Sequence, residues 1–255
     1  MKSELEKTLA LRLNEVSERI NKVAGRVGRD PGDITLVAVT KTWPAELVVA
    51  AYHAGIRHIG ENRAEELSRK KAQVNEMLPG AGDIIWHQIG TLQSRKTRLV
   101  AENADLFHAL DRLKIARRLS QQLSDLGRTL PVLLEVNLSG ESSKSGFQAK
   151  NWEEDATQRE SLRNVIETIA QLPGLELQGV MTMAPWGVQE DLIRSTFRRT
   201  RLLAEWLQNE VPYATLNQLS MGMTDDFEIA IEEGATYVRV GRAIFGSRHQ
   251  TEEEK

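Results

Sequence analysis

The stretch LVAVTKTWPAEL, residues 36–47, joins a buried strand, a lysine and the start of a helix. Its first residues are apolar and rich in β-branched side chains, as in a strand that is buried on both faces. Pro44 stands at the first turn of a predicted helix that ends at Gly55, which is the order of Pro and Gly typical of helix ends. The stretch therefore predicts one strand–helix unit with Lys41 at the carboxyl end of its strand.

The same unit recurs along the chain. Eight strands are predicted, in the segments ITLVAV, IRHIG, IIWHQIG, DLFHAL, PVLLEVNL, LELQGVMTM, TLNQLS and TYVRV. Strands that alternate with helices favour parallel pairing, and eight such units in about 250 residues match a closed (β/α)8 TIM barrel better than an open sheet. We therefore predict an α/β fold with one domain over residues 1–255.

Two terminal segments lie outside this repeat. Residues 1–28 predict an extra N-terminal helix whose apolar residues recur at steps of three and four. Residues 248–255 are predicted to be a disordered tail, because they are almost entirely polar. The apolar stripe of the helix consists of Leu5, Leu9, Leu13, Val16, Ile20, Val23 and Val27.

Composition limits the class of function. The net charge of −3 gives no basic excess for nucleic acid or for an anionic membrane surface, so neither is an expected partner. The absence of cysteine excludes disulfides and thiolate sites, and no His, Asp and Glu group has metal-ligand spacing. With no signal-peptide pattern and no apolar run of membrane-spanning length, we expect a cytoplasmic protein. A closed barrel needs no partner subunit, so we expect a monomer.

Two glycine-containing loops predict a phosphate site. Barrels place functional residues at the carboxyl ends of their strands and frequently bind phosphate after strands seven and eight. SMGMT and VRVGRAIFG follow these strands and supply Ser220, Gly222, Thr224 and Gly241, which suit an oxyanion. A helix opening near Thr224 would point its N-terminus at the anion. One such loop alone is more simply a turn, but two on adjacent strands favour phosphate.

Lys41 predicts chemistry with an aldehyde. A partly desolvated amine at a barrel mouth is suited to Schiff-base formation, and an aldehyde that carries a phosphate would use both features. The alternative is a lysine that extends into solvent from the end of its strand.

Several segments in one order resemble the YggS/PROSC family of pyridoxal 5'-phosphate (PLP) binding proteins. They are AVTKTWP, IGEN, WHQIGTLQSRK, the SSKSG loop and LSMGMTDDFEIAIEEGATYVRVGRAIFG, and the resemblance covers residues 5–247. It implies the barrel of the alanine racemase N-terminal domain, with PLP bound as an internal aldimine of Lys41. It also implies a role in vitamin B6 homeostasis without an established reaction.

The resemblance assigns further positions around the cofactor. Arg239 would face the pyridine nitrogen, and a permanently charged guanidinium would leave that nitrogen unprotonated and weaken the ring as an electron sink. The alternative for Arg239 is a structural ion pair with a carboxylate at a strand end. The other implied contacts are a phosphate site of Ser220, Thr224, Gly241 and Arg242, and a pocket wall that includes Asn62 and His87.

Three functions remain open. The first is a non-catalytic PLP holder with no catalytic residue, which contacts apo PLP enzymes transiently. The second is a PLP-dependent racemase or aldolase; its acid–base group comes from a second domain in racemases, and we expect none here because the chain ends nine residues after IFG. The third is a phosphosugar enzyme that uses Lys41. Lys144, in the polar loop SGESSKSG, is either a second amine for PLP or a solvated residue.

Overall fold

The computed structural model describes residues 3–141 and 144–246, so the predicted tail and part of the SSKSG loop lie outside the described residues. Its strands begin and end close to the predicted segments, with one addition, the two-residue β6. The strands are β1 Thr35–Val39, β2 His58–Glu61, β3 Ile85–Gln88, β4 Leu106–Leu110, β5 Leu130–Asn137, β6 Phe147–Gln148, β7 Leu175–Met181, β8 Gln218–Met223 and β9 Tyr237–Val240.

A helix follows each barrel strand. The helix after β4 ends at Gly127, whose φ of 61° places it in the left-handed region that glycine adopts without strain. The helices are α1 Glu4–Arg26, α2 Ala45–His53, α3 Ala64–Met77, α4 Thr97–Asn103, α5 Leu113–Leu126, α6 Ala156–Ala170, α7 Glu190–Glu210, α8 Phe227–Glu232 and α9 Arg242–Phe245.

The sheet is parallel and closed. Its strand order is β4-β3-β2-β1-β9-β8-β7-β5, and β4 also pairs with β5, which joins the two edges. The short β6 pairs only with the outer end of β5 and is not a barrel strand. The closed ring of eight parallel strands with surrounding helices confirms the predicted (β/α)8 barrel.

The N-terminal helix α1 packs outside the barrel against α2, α8 and α9. Ser3 begins it with a capping box, in which Ser3 Oγ accepts from the Glu6 N–H and Glu6 Oε2 accepts from the Ser3 N–H. The middle of the predicted apolar stripe is buried, but both ends are not, since Leu5 is 47% and Val27 is 40% exposed. The helix therefore docks through its central turns.

Closure of the barrel depends on a close approach between β7 and β8. Gly179 pairs with Gln218, and a Cβ at Gly179 would lie 1.9 Å from the Gln218 carbonyl oxygen. No side-chain rotamer relieves a clash with backbone, so only glycine fits at this position.

We expect Gly179→Ala to lower the free energy of unfolding by at least about 3 kcal/mol, because the two strands must separate to admit the methyl group. Gly25→Ala, near the end of α1, is the matched control, since a Cβ there has no heavy atom within 4 Å. It should change the free energy of unfolding by less than about 1 kcal/mol, in the stabilising direction. Urea denaturation measures both, and equal effects of the two variants would contradict the argument.

Candidate functional site

A cavity of about 590 Å³ opens where the carboxyl ends of the barrel strands meet. Residues from the ends of β1, β2, β3, β5, β7, β8 and β9 line it. Six of the nine residues predicted to bind a cofactor lie on its wall, and they are Lys41, Asn62, Thr224, Arg239, Gly241 and Arg242. The other three, His87, Ser220 and Gly222, lie behind the wall; the side chains of His87 and Ser220 are completely buried.

The turn that carries Lys41 has a strained backbone. Lys41 is half-buried, two residues beyond β1. Thr42, which follows it, has a φ of 68°, in the left-handed region that β-branched residues rarely adopt. The Thr42 N–H donates to Glu66 Oε1 at 2.6 Å, and the Trp43 N–H donates to the Thr40 carbonyl at 3.0 Å. Such strain persists only where the surrounding contacts impose it, and it is concentrated at functional sites.

A second lysine, Lys70, lies directly behind this turn. Its side chain is 2% exposed, and its Nζ donates to the Thr40 carbonyl at 2.8 Å, to Glu66 Oε1 at 3.1 Å and to Glu61 Oε1. All three ammonium protons therefore have acceptors, and two carboxylates compensate the buried charge. Burial raises the pKa of Glu61, and Lys70 opposes that rise. This network fixes the backbone on both sides of Lys41.

The end of β8 and the loop after β9 contain tight backbone packing. Gly222, near the end of β8, has a φ of 93°, and a Cβ there would lie 2.6 Å from the Ala230 Cβ, so this position requires glycine. Gly241 packs against β1, where a Cβ would lie 3.2 Å from a backbone oxygen. At the rim, Arg242 forms an ion pair with Asp225. Gly222 thus shapes the loop rather than the cavity wall.

The helix after β8 begins later than predicted. A start near Thr224 was expected, whereas α8 begins at Phe227 and has six residues. Thr224 lies in the connecting turn, because Asp226 accepts the Met223 N–H there and delays the helix. The Thr224 hydroxyl still lines the cavity together with Gly241 and Arg242. These donors form an end of the cavity whose chemistry suits a phosphate group.

Arg239 presents a buried cation to the cavity. Its side chain donates from Nη1 to Ser220 Oγ at 2.5 Å and from Nη2 to the Thr182 carbonyl at 3.0 Å. Within the described ranges it forms no ion pair, so the structural ion pair considered for it is not present. Burial lowers the pKa of Arg239 to about 10, and the nearby carboxylates of Asp226 and Glu135 oppose this lowering. The guanidinium therefore stays charged at neutral pH.

Ser220 connects Arg239 to a chain of three histidines inside the barrel. His108 Nδ1 lies 2.7 Å from Ser220 Oγ, and His87 Nδ1 lies 2.8 Å from His108 Nε2. His58 Nδ1 continues the chain at 2.9 Å from His87 Nε2. Burial lowers the pKa of His87 to about 3 and that of His108 well below its usual range, so both rings are neutral. His87 and Ser220 were expected to contact a cofactor; their side chains are fully buried in the barrel, behind the residues that line the cavity.

Arg239 gives this chain one direction. A guanidinium only donates, so Ser220 Oγ accepts from Arg239. The Ser220 hydroxyl proton then has one possible acceptor among the described residues, His108 Nδ1, and we assign that nitrogen as its acceptor. The proton of His108 therefore lies on Nε2, and the same argument places the protons of His87 and His58 on Nε2. Every lone pair in the chain points toward Arg239, and this alignment stabilises the buried cation.

Sequence analysis missed three acidic residues on the cavity wall, which are Glu135, Asp225 and Asp226. Glu135 is 2% exposed, lines the cavity, and has an Oε2 atom with no hydrogen-bond partner in the described part of the chain. Burial and the neighbouring Asp111 raise the pKa of Glu135 to about 7, while Arg239 and Arg112 oppose the rise. The available signal was a glutamate within the apolar strand PVLLEVNL, where burial of a charge is costly.

Two further residues lie in loops at the carboxyl ends of strands. β7 ends at Met181, and Met183 lies beyond it on the cavity wall, 40% exposed. Lys144 pairs with Glu141 at 2.8 Å in the loop after β5. Lys144 is not among the described residues that line the cavity. Its role as a second amine stays a prediction.

In residues 3–141 and 144–246, no group of His, Asp and Glu side chains is arranged to hold a metal ion. Over the same residues, no helix has both the length and the apolar composition needed to span a bilayer.

We expect Lys70→Met to lower the free energy of unfolding by about 3–5 kcal/mol at pH 8, because it leaves Glu61 and Glu66 buried without a cation. The loss should be smaller at pH 5. A buried acid with a raised pKa is stabilising while it is protonated, and this contribution is lost as the pH rises toward the folded-state pKa. Lys71→Met is the control, because Lys71 is partly exposed and 3.5 Å from Asp105, and it should cost less than about 1 kcal/mol. Urea unfolding at both pH values separates the two, and similar losses would refute the network's role.

We expect His58, His87 and His108 to be neutral and protonated on Nε2 at pH 7. Long-range proton–nitrogen NMR correlations distinguish the two tautomers, and the exposed His53 on α2 provides a reference ring. Ser220→Ala should free His108 from this constraint and change its ring-nitrogen signals, while His53 stays unchanged. A proton on Nδ1 of any of the three rings in the unmodified chain would contradict the proposed direction.

Comparison with known proteins supports the assignment of the fold and the family. The family model for the alanine racemase N-terminal domain matches residues 11–249. The pyridoxal phosphate homeostasis protein of Pseudomonas aeruginosa is 42% identical over 241 residues, which cover 94% of this chain and 96% of that protein. The protein of the same name from Escherichia coli is 39% identical over 241 residues, covering 94% of this chain and 97% of that protein.

Solved structures agree with this result. PipY of Synechococcus elongatus, determined with PLP bound, has a TM-score of 0.78 and 34% identity, covering 93% of this chain and 100% of PipY. Alanine racemase of Clostridium difficile has a TM-score of 0.68 at 12% identity, covering 97% of this chain and 58% of that chain, and shows the shared fold alone. The resemblance found in the sequence is thereby confirmed: this chain belongs to the alanine racemase N-terminal domain family, among the pyridoxal phosphate homeostasis proteins.

Proposed function

We propose that this chain holds PLP at the barrel mouth and serves the homeostasis of that cofactor, without catalytic turnover. The observation that carries the proposal is that one cavity is lined by Lys41, by Arg239, and by Thr224, Gly241 and Arg242. The names of the relatives and PLP in the PipY structure support the same cofactor.

The residues present fit the chemistry of PLP. The cofactor supplies an aldehyde that combines reversibly with primary amines, and Lys41 is the amine on this cavity wall. The strained turn and the Lys70 network hold the backbone of Lys41 in place. Thr224 would bind the phosphate through its hydroxyl, and Gly241 and Arg242 would bind it through backbone N–H donors. Asn62 contributes to the wall between these two regions.

Arg239 supports holding rather than activation. A guanidinium offers only donors, so the ring nitrogen that faces it would accept a hydrogen bond and stay unprotonated. An unprotonated ring withdraws electrons weakly and stabilises a carbanion poorly. Ser220 Oγ and the Thr182 carbonyl accept hydrogen bonds from the two Nη atoms of Arg239, so the guanidinium is held in a fixed position beside the cavity.

A PLP-dependent enzyme that acts on amino acids is the second candidate. The buried Glu135 on the cavity wall favours it, because racemisation needs an acid–base group beside the cofactor. Chiral chromatography after incubation with D- and L-amino acids decides between the two functions. We expect no interconversion, and steady turnover that Glu135→Gln abolishes would establish the enzyme instead.

Further parts of the proposal concern the setting of the protein. We infer a monomer, because β4 pairs with β5 and closes the ring of eight barrel strands without a partner subunit. We also infer a cytoplasmic location and transient contacts with apo PLP enzymes, which would receive the cofactor. The lack of cysteine is compatible with a reducing compartment.

We expect the purified protein with PLP to show a visible absorption band that Lys41→Ala abolishes. Borohydride reduction followed by peptide mass spectrometry should place the pyridoxyl group on Lys41. Lys114→Ala is the control, because Lys114 lies on the exposed face of α5 and does not line the cavity, so the variant should leave the band and the label unchanged. A label on another lysine, or a colourless protein that still turns over a sugar phosphate, would overturn the proposal.

A further inference from the structure

We propose that Glu135 forms an amine subsite in this cavity, where the ammonium group of an incoming primary amine on an apolar stem binds across from Lys41. The inference rests on the proposed function, since such an amine is the natural acceptor of the aldehyde that Lys41 holds. It adds a second ligand class to the cavity and names the residue that receives it.

The first observation is an unused carboxyl group. Glu135 is 98% buried, yet its Oε2 makes no hydrogen bond within the described residues, and the side chain lines the cavity. Asp111 Oδ1, at the end of β4, is buried without a partner in the same way. A buried carboxyl oxygen without a donor is costly, so the site is incomplete until a donor arrives. An ammonium group carries three.

The second observation is the position of Glu135 in the barrel. The strand order places three strands between β1 and β5 in either direction around the ring, so the two strands lie opposite each other. Lys41 follows β1, and Glu135 stands near the carboxyl end of β5. A ligand held by Lys41 therefore lies between the lysine and the acid. An amine at Glu135 approaches from the side that Lys41 leaves open.

The charges around Glu135 favour a cation. Asp111, Arg112 and Arg239 act on Glu135, and Asp226 acts on Arg239. When all five groups are ionised, three carboxylates face two guanidinium groups, which leaves one negative charge. One ammonium ion neutralises this set. The phosphate-binding donors Thr224, Gly241 and Arg242 are not members of this set.

The wall next to Glu135 suits an alkyl stem. Glu135 pairs with Met181 across β5 and β7, and the loop that continues from β7 lines the same cavity. Trp186 in this loop is 89% exposed, so its ring is available to a ligand. The apolar residues of this wall are Met183, Ala184, Pro185, Trp186, Val188 and Ile193. A lysine side chain or a similar aliphatic amine matches this combination of an acid with apolar neighbours.

Glu135 also has a role beyond binding. An ammonium nitrogen has no lone pair, so it reacts with an aldehyde only after it loses a proton. Glu135 Oε2 accepts that proton and leaves a neutral amine in the cavity. The pKa of about 7 suits this exchange, because the carboxyl group can be loaded and unloaded near neutral pH.

Calorimetric titration of the PLP-free chain with n-pentylammonium tests the subsite, with n-pentanol as the neutral probe of the same stem. We expect the ammonium to bind and the alcohol to bind at least tenfold more weakly. Because only ionised Glu135 pairs with the cation, affinity should rise about tenfold between pH 6 and pH 8, through the pKa of about 7. Lys41 lies across the cavity, and Asp111, Arg112, Arg239 and Asp226 are the other charges near the site.

Glu135→Gln should remove both the preference for the cation and the rise with pH. Glu46→Gln, on the exposed face of α2, is the matched control and should leave both unchanged. Equal binding of the alcohol and the ammonium, or a pH-independent affinity in the unmodified chain, would overturn the subsite without need of any variant. These titrations contain no PLP, so a negative result would contradict the amine subsite alone. A negative result in the labelling of Lys41 would contradict the proposed function.

Discussion

The pairing of β4 with β5 is the contact on which the arrangement at the barrel mouth depends. Without it, the sheet would be open, with β4 and β5 at opposite edges and β1 near the middle. The paired residues Phe107, Val132, Leu110 and Leu134 are fully buried, so apolar burial drives the closure. Once closed, the parallel strands place all their carboxyl ends in one ring. That ring brings Lys41 and Glu135, which are far apart in sequence, to opposite sides of one cavity.

Two buried cations serve this cavity in different ways. The positive charge of Lys70 is compensated by ion pairs with Glu61 and Glu66 inside the protein. These contacts fix the turn that carries Lys41. Arg239 instead donates to a hydroxyl and a carbonyl, both neutral, and its charge is not cancelled by an ion pair within the described residues. A charge left uncompensated in a low-dielectric site acts strongly on whatever binds beside it. Lys70 therefore supports the turn of Lys41, whereas Arg239, in the proposed function, acts on the ligand.

The sequence predicted the features that depend on local pattern. The strand–helix repeat and the Pro–Gly helix ends indicated the barrel, and the end of the first strand located Lys41 on the cavity wall. It did not predict the histidine chain, because His108 and Ser220 are 112 positions apart and only the closed barrel joins them. Glu135 was missed since its neighbours in sequence are apolar and its charged neighbours come from other strands. Ser220 suited a phosphate by residue type, but the alternation along β8 points its side chain inward.

The charges of the cavity impose an order on its ligands. A phosphate is attracted to the donors of Thr224, Gly241 and Arg242 and is repelled by Glu135 on the wall formed by β5. Asp225, which also lines the cavity, is paired with Arg242. An ammonium group has the opposite preference. An aldehyde bound at Lys41 on β1 would therefore place its phosphate at the neighbouring β9 and β8 loops and away from Glu135 on β5. In that orientation the wall formed by β5 remains accessible to an amine. The charges that orient the phosphorylated aldehyde therefore also favour binding of an amine beside Glu135.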